Sequence, residues 1–452
     1  VIDAPRFGTD GIRGAANTEL SPEVALALGR AAVEVLGGEL FLVGSDTRLS
    51  GPMLEGALTA GICSAGSDVE VLGVVPTPAV AWASADRDAP AAMISASHNP
   101  FADNGIKLFA RGGMKLGDDD QAAIEKRYLE LLGAGPGRRS AGAAPAELVG
   151  RPRPSRGVDG WLDLVTGSVA PGALAGMRLV IDCANGAAAE SGPEPFRRLG
   201  ADVTVIGNRP DGRNINAGFG STDTTALQTE VAVVGAAAGL AFDGDADRLI
   251  AVDDRGRVVD GDRVLALLAT DWAATGRLAG NAVVVTVMTN LGFHRAMATR
   301  GIEVVSTRVG DRHVLEAIEE RGLSLGGEQS GHVICRDLAT TGDGVLTGVQ
   351  LLDVLARSGR SLSELAEGSM DRVPQVLENV RLPGPVDDPT GAMAADIASV
   401  EERFGDRGRV LVRPSGTEPL LRIMVEHLDA EEATRSCAAL VAAAERAFGR
   451  AV

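Results

Sequence analysis

Aromatic side chains are scarce in this chain. Phe, Trp and Tyr together make up 3% of its 452 residues, so its cores must be packed from Ala, Val and Leu. Cysteine is scarcer still: Cys63, Cys183, Cys335 and Cys437 stand far apart without CxxC spacing, which argues against a disulfide framework or a zinc site. A basic surplus is also lacking, since 43 Lys and Arg face 61 Asp and Glu. The resulting net charge of −18 leaves nothing to neutralise a nucleic-acid backbone, so no nucleic-acid partner is expected. A small phosphorylated ligand needs only a few local cations and is compatible with that balance. No apolar run approaches the about 18 residues of a membrane span, and residues 1–14 carry no signal-peptide pattern. A cytoplasmic protein without a membrane partner is therefore expected.

What is present is the composition of a globular protein, 45% hydrophobic and 23% charged, in a chain long enough for roughly three or four domains. A strand, a polar loop with glycine, an amphipathic helix and a second strand recur three times. The copies are "ELFLVGSDTRLSG" with "AGSDVEVLGVV" (39–75), "MRLVIDCANGAAAES" with "FRRLGADVTVIG" (177–207), and "NAVVVTVMTNLGFHR" with "ATRGIEVVSTRVG" (281–310). They predict three α/β domains on related mixed sheets with ligand loops at strand ends, chance βαβ likeness being the alternative. Composition shifts at 133–157 and 369–391 read as linkers, and "LIAVDDRGRVVDGDR" (249–263) as a hairpin. The divisions expected are 1–150, 151–254, 255–370 and a small α+β domain at 371–452.

"LAFDGDADRLIAVDD" (240–254) places Asp243, Asp245 and Asp247 alternately after an apolar strand. Three carboxylates so close repel one another unless a cation is shared, and hard oxygen ligands suit Mg²⁺. A solvated acidic turn is the plain alternative. An EF-hand loop is rejected, because Arg248 stands where its sharp-turn glycine belongs and "LIAV" reads as strand. "GGEQSGH" (326–332) sets Glu328, Gln329, Ser330 and His332 among glycines, suited to sugar hydroxyls or to a simple turn. "VRPSGTEPLLRIMVE" (412–426) gathers Arg413, Ser415, Gly416, Thr417 and Arg422 into a possible phosphate cradle that lacks the GxxxxGK[ST] pattern. Two arginines pairing with surface carboxylates would look the same. Arg13 in "RFGTDGIRGAAN" and Lys107 in "DNGIKLF" decide little alone.

The stretch "MISASHNP" (93–100) puts Ser97 beside His98, but neighbours in sequence rarely aim their side chains at each other and no GxSxG elbow is present. Covalent phosphoryl transfer uses every unusual motif at once: a serine carrier, an acidic metal site and a phosphate cradle.

Together these motifs resemble the α-D-phosphohexomutase family, over essentially the whole chain and in the family's order. "FGTDGIRG", "NINAGFGSTD" (214–223), "TRVGDRHVLE" (307–316), Gln329 and "TTGDGVLTG" (340–348) look most like its bacterial subgroup acting on amino-sugar phosphate. The resemblance implies four domains around one cleft, the last mobile, and the interconversion of glucosamine 6-phosphate and glucosamine 1-phosphate on the way to UDP-N-acetylglucosamine. It implies Ser97 as the phosphorylated residue, completing a Mg²⁺ site with Asp243, Asp245 and Asp247. It implies Glu328 and Ser330 on sugar hydroxyls, and Arg413, Ser415, Gly416, Thr417 and Arg422 on the unreacting phosphate. Lys107 and His332 would move protons, Arg13 and Arg248 would support charge, and His98 would shape the loop or touch phosphate. A homodimer through the first domain is implied as well. A glucose- or mannose-phosphate mutase of the same family, a metal-dependent phosphatase and a silent phosphosugar-binding protein are the rival readings.

Overall fold

Three stretches of the chain build the same mixed sheet. In the first, strands Leu40–Ser45, Asp68–Val74, Ala91–Ile94 and Asp103–Ala110 lie in the order second, first, third, fourth. The first three run parallel and the fourth antiparallel. Strands Arg178–Asp182, Asp202–Ile206, Ala238–Phe242 and Leu249–Asp253 repeat that order and direction. So do Ala282–Thr286, Glu303–Thr307, Leu325–Gly327 and Val333–Cys335. The tandem pattern expected from the sequence thus corresponds to three units of one topology. The computed structural model describes residues 4–8, 10–133, 143–383, 386, 388–414 and 420–449.

Local chemistry sets the elements. The central strand of the third unit, "AVVVT", is buried along its whole length, as a parallel strand covered on both faces must be. Helix Gly344–Ser358 begins at Asp343, whose side chain accepts from the Leu346 N–H at 2.8 Å, and stops at Gly359 with φ 65°. Helix Gly261–Thr275 is capped in the same way by Asp260 and ended by Gly276. The first sheet is extended by Gly11–Ala15, which pairs with Asp103–Ala110 and so brings Arg13 opposite Gly105. Val258–Val259 pairs antiparallel with Leu249–Asp253, forming the expected hairpin.

Two stretches read as linkers contribute strands. Pro152–Arg153 adds a parallel edge to Asp68–Val74, and Gln375–Arg381 pairs antiparallel with Leu420–His427. Proline and glycine punctuate both stretches, which hid the strands: Pro152 sits at a sheet edge, where a missing N–H is tolerated. The last sheet, Gln375–Arg381, Leu420–His427 and Gly408–Pro414, is wholly antiparallel and is packed by helices Ala394–Phe404 and Ala430–Phe448.

One apolar core runs through all three repeated units, joining Met93, Trp161, Phe196, Leu240 and Val349, whereas Phe404, Ile423, Val425 and Leu440 form a core belonging to the C-terminal unit. The third and last units meet through polar groups. Buried Glu426 accepts from Asn290 Nδ2 at 2.8 Å, the Leu291 N–H at 3.1 Å and Arg409 Nε at 2.5 Å, and Asn290 also donates to the Val373 carbonyl. All four cysteines are unpaired and buried. No helix of the described residues is long and apolar enough to cross a membrane.

Candidate active site

Each repeated unit places its unusual loop at the same point, between the third strand and the antiparallel fourth. Those loops are 95–102, 243–248 and 328–332. Each turns through a left-handed residue, Ser97 (φ 52°), Ala246 (φ 57°) and Gly331 (φ 91°). The second and third share one turn, since the Ala246 N–H donates to the Asp243 carbonyl and the Gly331 N–H to the Glu328 carbonyl, both at 3.0 Å. Close approach demands glycine at two places. A Cβ on Gly244 would lie 2.5 Å from the Ser97 carbonyl, and one on Gly331 would lie 2.1 Å from the Leu249 carbonyl.

Ser97, buried, donates from Oγ to Asp243 Oδ2 at 2.5 Å. His98 Nδ1 stands 3.4 Å from the same Oγ, a much weaker relationship, so the adjacent pair is not how this serine is held. Burial, with Arg248 and Arg13 beside it, pushes the His98 imidazole down to about 4. The carboxylates of Asp243, Asp245 and Asp247 are buried and present ligand oxygens within 4.8 Å of one another. Thr77 Oγ1 donates to Asp245 at 2.6 Å. Lys107 reaches Asp245 at 2.8 Å, Asp247 at 3.1 Å and Asp10 at 2.8 Å. Burial works against the charge on Lys107, but these three carboxylates outweigh it and raise its pKa well above the usual lysine value. Burial and the repulsion of Asp247 and Asp245 push Asp243 well above the carboxylate range. Asp245 Oδ1 and Asp247 Oδ1 are buried without a hydrogen-bond partner. Two orphaned carboxylate oxygens, a third carboxylate short of positive charge and a serine hydroxyl suit a hard divalent cation.

His332 lies between Asp247 (Nδ1, 3.7 Å) and Asp311 (Nε2, 3.4 Å). Burial lowers its pKa but the two carboxylates outweigh it, giving a net upward shift. Asp311 pairs with Lys115, which pairs with Asp10, which pairs with Lys107. Lys107 and His332 both approach Asp247, so acidic and basic side chains alternate around a closed ring drawn from all three repeated units.

A cavity of about 690 Å³ opens beside this ring, lined by Arg13, Arg248, Asp247, Glu328, His332 and Arg413 among others. Arg13 donates to Asp10 at 2.7 Å, while its Nε and that of Arg248 are buried without a hydrogen-bond partner. Glu328 accepts from the Gly310 N–H at 3.1 Å and from Ser330 Oγ at 3.3 Å. Arg413 and Arg422 are direct cross-strand partners, and burial with the Arg422 charge lowers the pKa of Arg413. Like charges placed opposite each other destabilise a bare sheet and suit an anion held between them. Ser415, Gly416 and Thr417 lie outside the described residues.

Family models of phosphoglucomutase/phosphomannomutase match the chain in order: α/β/α domain I at 4–132, domain II at 159–256, domain III at 260–373 and the C-terminal domain at 371–443. The chain belongs to the phosphoglucomutase/phosphomannomutase family. A phosphoglucosamine mutase of Moorella thermoacetica is 52% identical over 447 residues, covering 94% of this chain and 96% of that protein. One of Frankia alni is 49% identical, with 98% of each chain covered. Among solved structures, a phosphoglucomutase/phosphomannomutase family protein of Burkholderia thailandensis superposes with a TM-score of 0.81 at 26% identity, covering 97% of both chains. An Aspergillus fumigatus N-acetylphosphoglucosamine mutase, solved with GlcNAc-6P and magnesium, shares the fold at a TM-score of 0.69 and 19% identity over 98% of this chain and 96% of that chain.

Several residues of this phosphoglucomutase/phosphomannomutase site carried no signal of their own in the sequence. Thr77 and Lys115 enter only through packing, while Asp10 and Asp311 lie in quoted motifs that gave them no role. Arg48 lay in a stretch read as a polar loop, yet it is fully buried: its Nε donates to Asp46, and its terminal nitrogens donate to the carbonyls of Ser97, Asn99, Pro100 and Asp103. Ser95 links the two sets, accepting from the Ser97 N–H at 2.9 Å and donating to Asp46 at 2.6 Å.

Proposed function

We propose that this chain acts as a phosphoglucosamine mutase, interconverting glucosamine 6-phosphate and glucosamine 1-phosphate. The single observation that carries the mechanism is Ser97 Oγ, 2.5 Å from one of three buried carboxylates flanked by Lys107, Arg248 and His332. The relatives of about half-identical sequence choose the sugar within the family.

In the forward direction phospho-Ser97 loses its phosphoryl group to the sugar. The O1–P bond forms as the Oγ–P bond breaks, and the O1 proton passes to a carboxylate of the ring that Lys107 and His332 line, Lys107 itself staying protonated. The bound 1,6-bisphosphate turns end for end. The O6–P bond then breaks as Oγ–P forms again, and O6 regains a proton. Arg413 and Arg422, with Ser415, Gly416 and Thr417, hold whichever phosphate is not reacting, while Glu328 and Ser330 hold hydroxyls. A cation held by Asp243, Asp245, Asp247 and the Ser97 oxygen, Mg²⁺ in this proposal, supplies charge neutralisation for the transferring phosphoryl group. His98, its pKa at about 4, stays neutral near pH 7 and can accept a hydrogen bond at the serine loop. Closure of the C-terminal unit over the sugar would shield the phosphoserine from water. Cytoplasmic residence and a homodimer through the first unit complete the proposal, sedimentation testing the latter.

Coupled rates on glucosamine, glucose and mannose phosphates test the assignment. A dominant rate on glucosamine 6-phosphate supports it; a dominant glucose or mannose rate overturns the sugar choice, and stoichiometric release of inorganic phosphate overturns the mutase.

A further inference from the structure

Asparagine 216 belongs to a stretch, 214–223, that the mechanism has not used, yet its side chain reaches the reacting serine. Asn216 Nδ2 donates to the Ser97 carbonyl at 2.9 Å and to the Asn99 carbonyl at 3.2 Å. Arg48 Nη2 donates to the same two carbonyls, at 2.9 and 2.8 Å. The two donors come from different units: Arg48 follows a strand of the serine's own sheet, while Asn216 stands on a loop of the unit that carries Asp243. That loop is itself anchored. The Asn216 N–H donates to the Ala184 carbonyl at 2.8 Å, and a Cβ added to Gly244 would meet Asn216 Nδ2 at 2.9 Å.

Among the described residues, the hydrogen bond that joins the serine segment directly to the acidic loop is the Oγ–H bond to Asp243. It cannot last through the cycle, because an esterified Oγ has no hydrogen to donate. The Nδ2 contacts of Asn216 are to backbone oxygens and are untouched by phosphorylation. Ser97 is also held at φ 52°, a conformation disfavoured for a residue with a Cβ. We infer that Asn216 is a positioning residue that keeps the Ser97 loop in register with the Asp243 loop whether or not the serine carries phosphoryl. The inference rests on the phosphoryl-transfer reading above.

Two variants test it. Asn216 itself has φ 59°, so Asn216→Gly keeps the backbone at no steric cost while removing both Nδ2 hydrogen bonds. Asn216→Asp keeps the shape and replaces the donor with an acceptor facing two carbonyls. Loading of Ser97 from glucosamine 1,6-bisphosphate is followed by intact mass, beside kcat, KM and thermal unfolding. Both variants should load roughly tenfold to a hundredfold more slowly and lose kcat alike, with KM changed by no more than about twofold and the folded fraction unchanged. Native loading rates in both variants would overturn the inference, as would a loss of activity matched by a loss of folded protein. An unloaded native chain would instead overturn the proposed function and this inference together.

Discussion

Ser97 Oγ and Asp243 Oδ2 are 146 residues apart in sequence and 2.5 Å apart in space, each on the loop after the third strand of its own sheet. The contact joins two copies of one topology at equivalent points, so the site is a product of the repeat. Removing the hydroxyl removes the proposed phosphoryl carrier. Ser97→Ala should lower kcat at least about a thousandfold, even with added bisphosphate, and leave thermal unfolding near native. A steady-state mutase assay checks both halves.

The acidic loop should respond to metal. Chelation should abolish turnover and Mg²⁺ should restore it, while Asp243→Asn should need much more Mg²⁺ and turn over roughly a hundredfold more slowly at saturation. Titration of activity against free Mg²⁺ in native and variant protein reads this directly.

The fold was legible where apolar periodicity and glycine punctuation agreed, as in "NAVVVT" and "MRLVID", each an interior strand of its sheet. The site was legible where rare residue types cluster in sequence, as in Asp243, Asp245 and Asp247. Its supports were not. Arg48 reads as an exposed loop residue, and only the fold shows its guanidinium spent on Asp46 and four carbonyls. Asp10, Lys115 and Asp311 are ordinary surface types until three units enclose them, because alternating charge around a ring is a property of assembly, not of spacing. Gln375–Arg381 carries no clear strand signal, because most of its side chains are at least partly exposed and it sits among prolines.

The arginine pair should govern binding more than chemistry. Arg413→Ala and Arg422→Ala should each raise KM for the sugar phosphate by about tenfold to a hundredfold, with a smaller loss in kcat. Each change also removes a like-charge neighbour, so neither should lower the unfolding temperature of the unliganded protein.

The polar junction between the third and last units should make stability depend on pH. Burial raises the Asp262 carboxyl to about 7, and its Oδ2 accepts from the Asn290 N–H at 2.9 Å while its Oδ1 is buried and unpartnered. A carboxyl whose folded pKa lies above its unfolded 3.8 binds protons more tightly when folded, so its stabilisation is full below pH 3.8 and is lost as pH rises through about 7. Unfolding midpoints should therefore fall between about pH 4 and 7 by the equivalent of a few kcal/mol, on the order given by a shift of this size, and level off above. Asp262→Asn, neutral throughout, should flatten that slope; an unchanged slope in the variant would place the pH dependence elsewhere.

The residue that carries phosphate during turnover is the most direct test of phosphoryl transfer through Ser97. After incubation of the native chain with glucosamine 1,6-bisphosphate and Mg²⁺, intact mass and peptide mapping should find one phosphoryl group, on Ser97, and subsequent glucosamine 6-phosphate should remove it as bisphosphate forms. A phosphoryl group on any other residue, or none at all during turnover, would contradict the account.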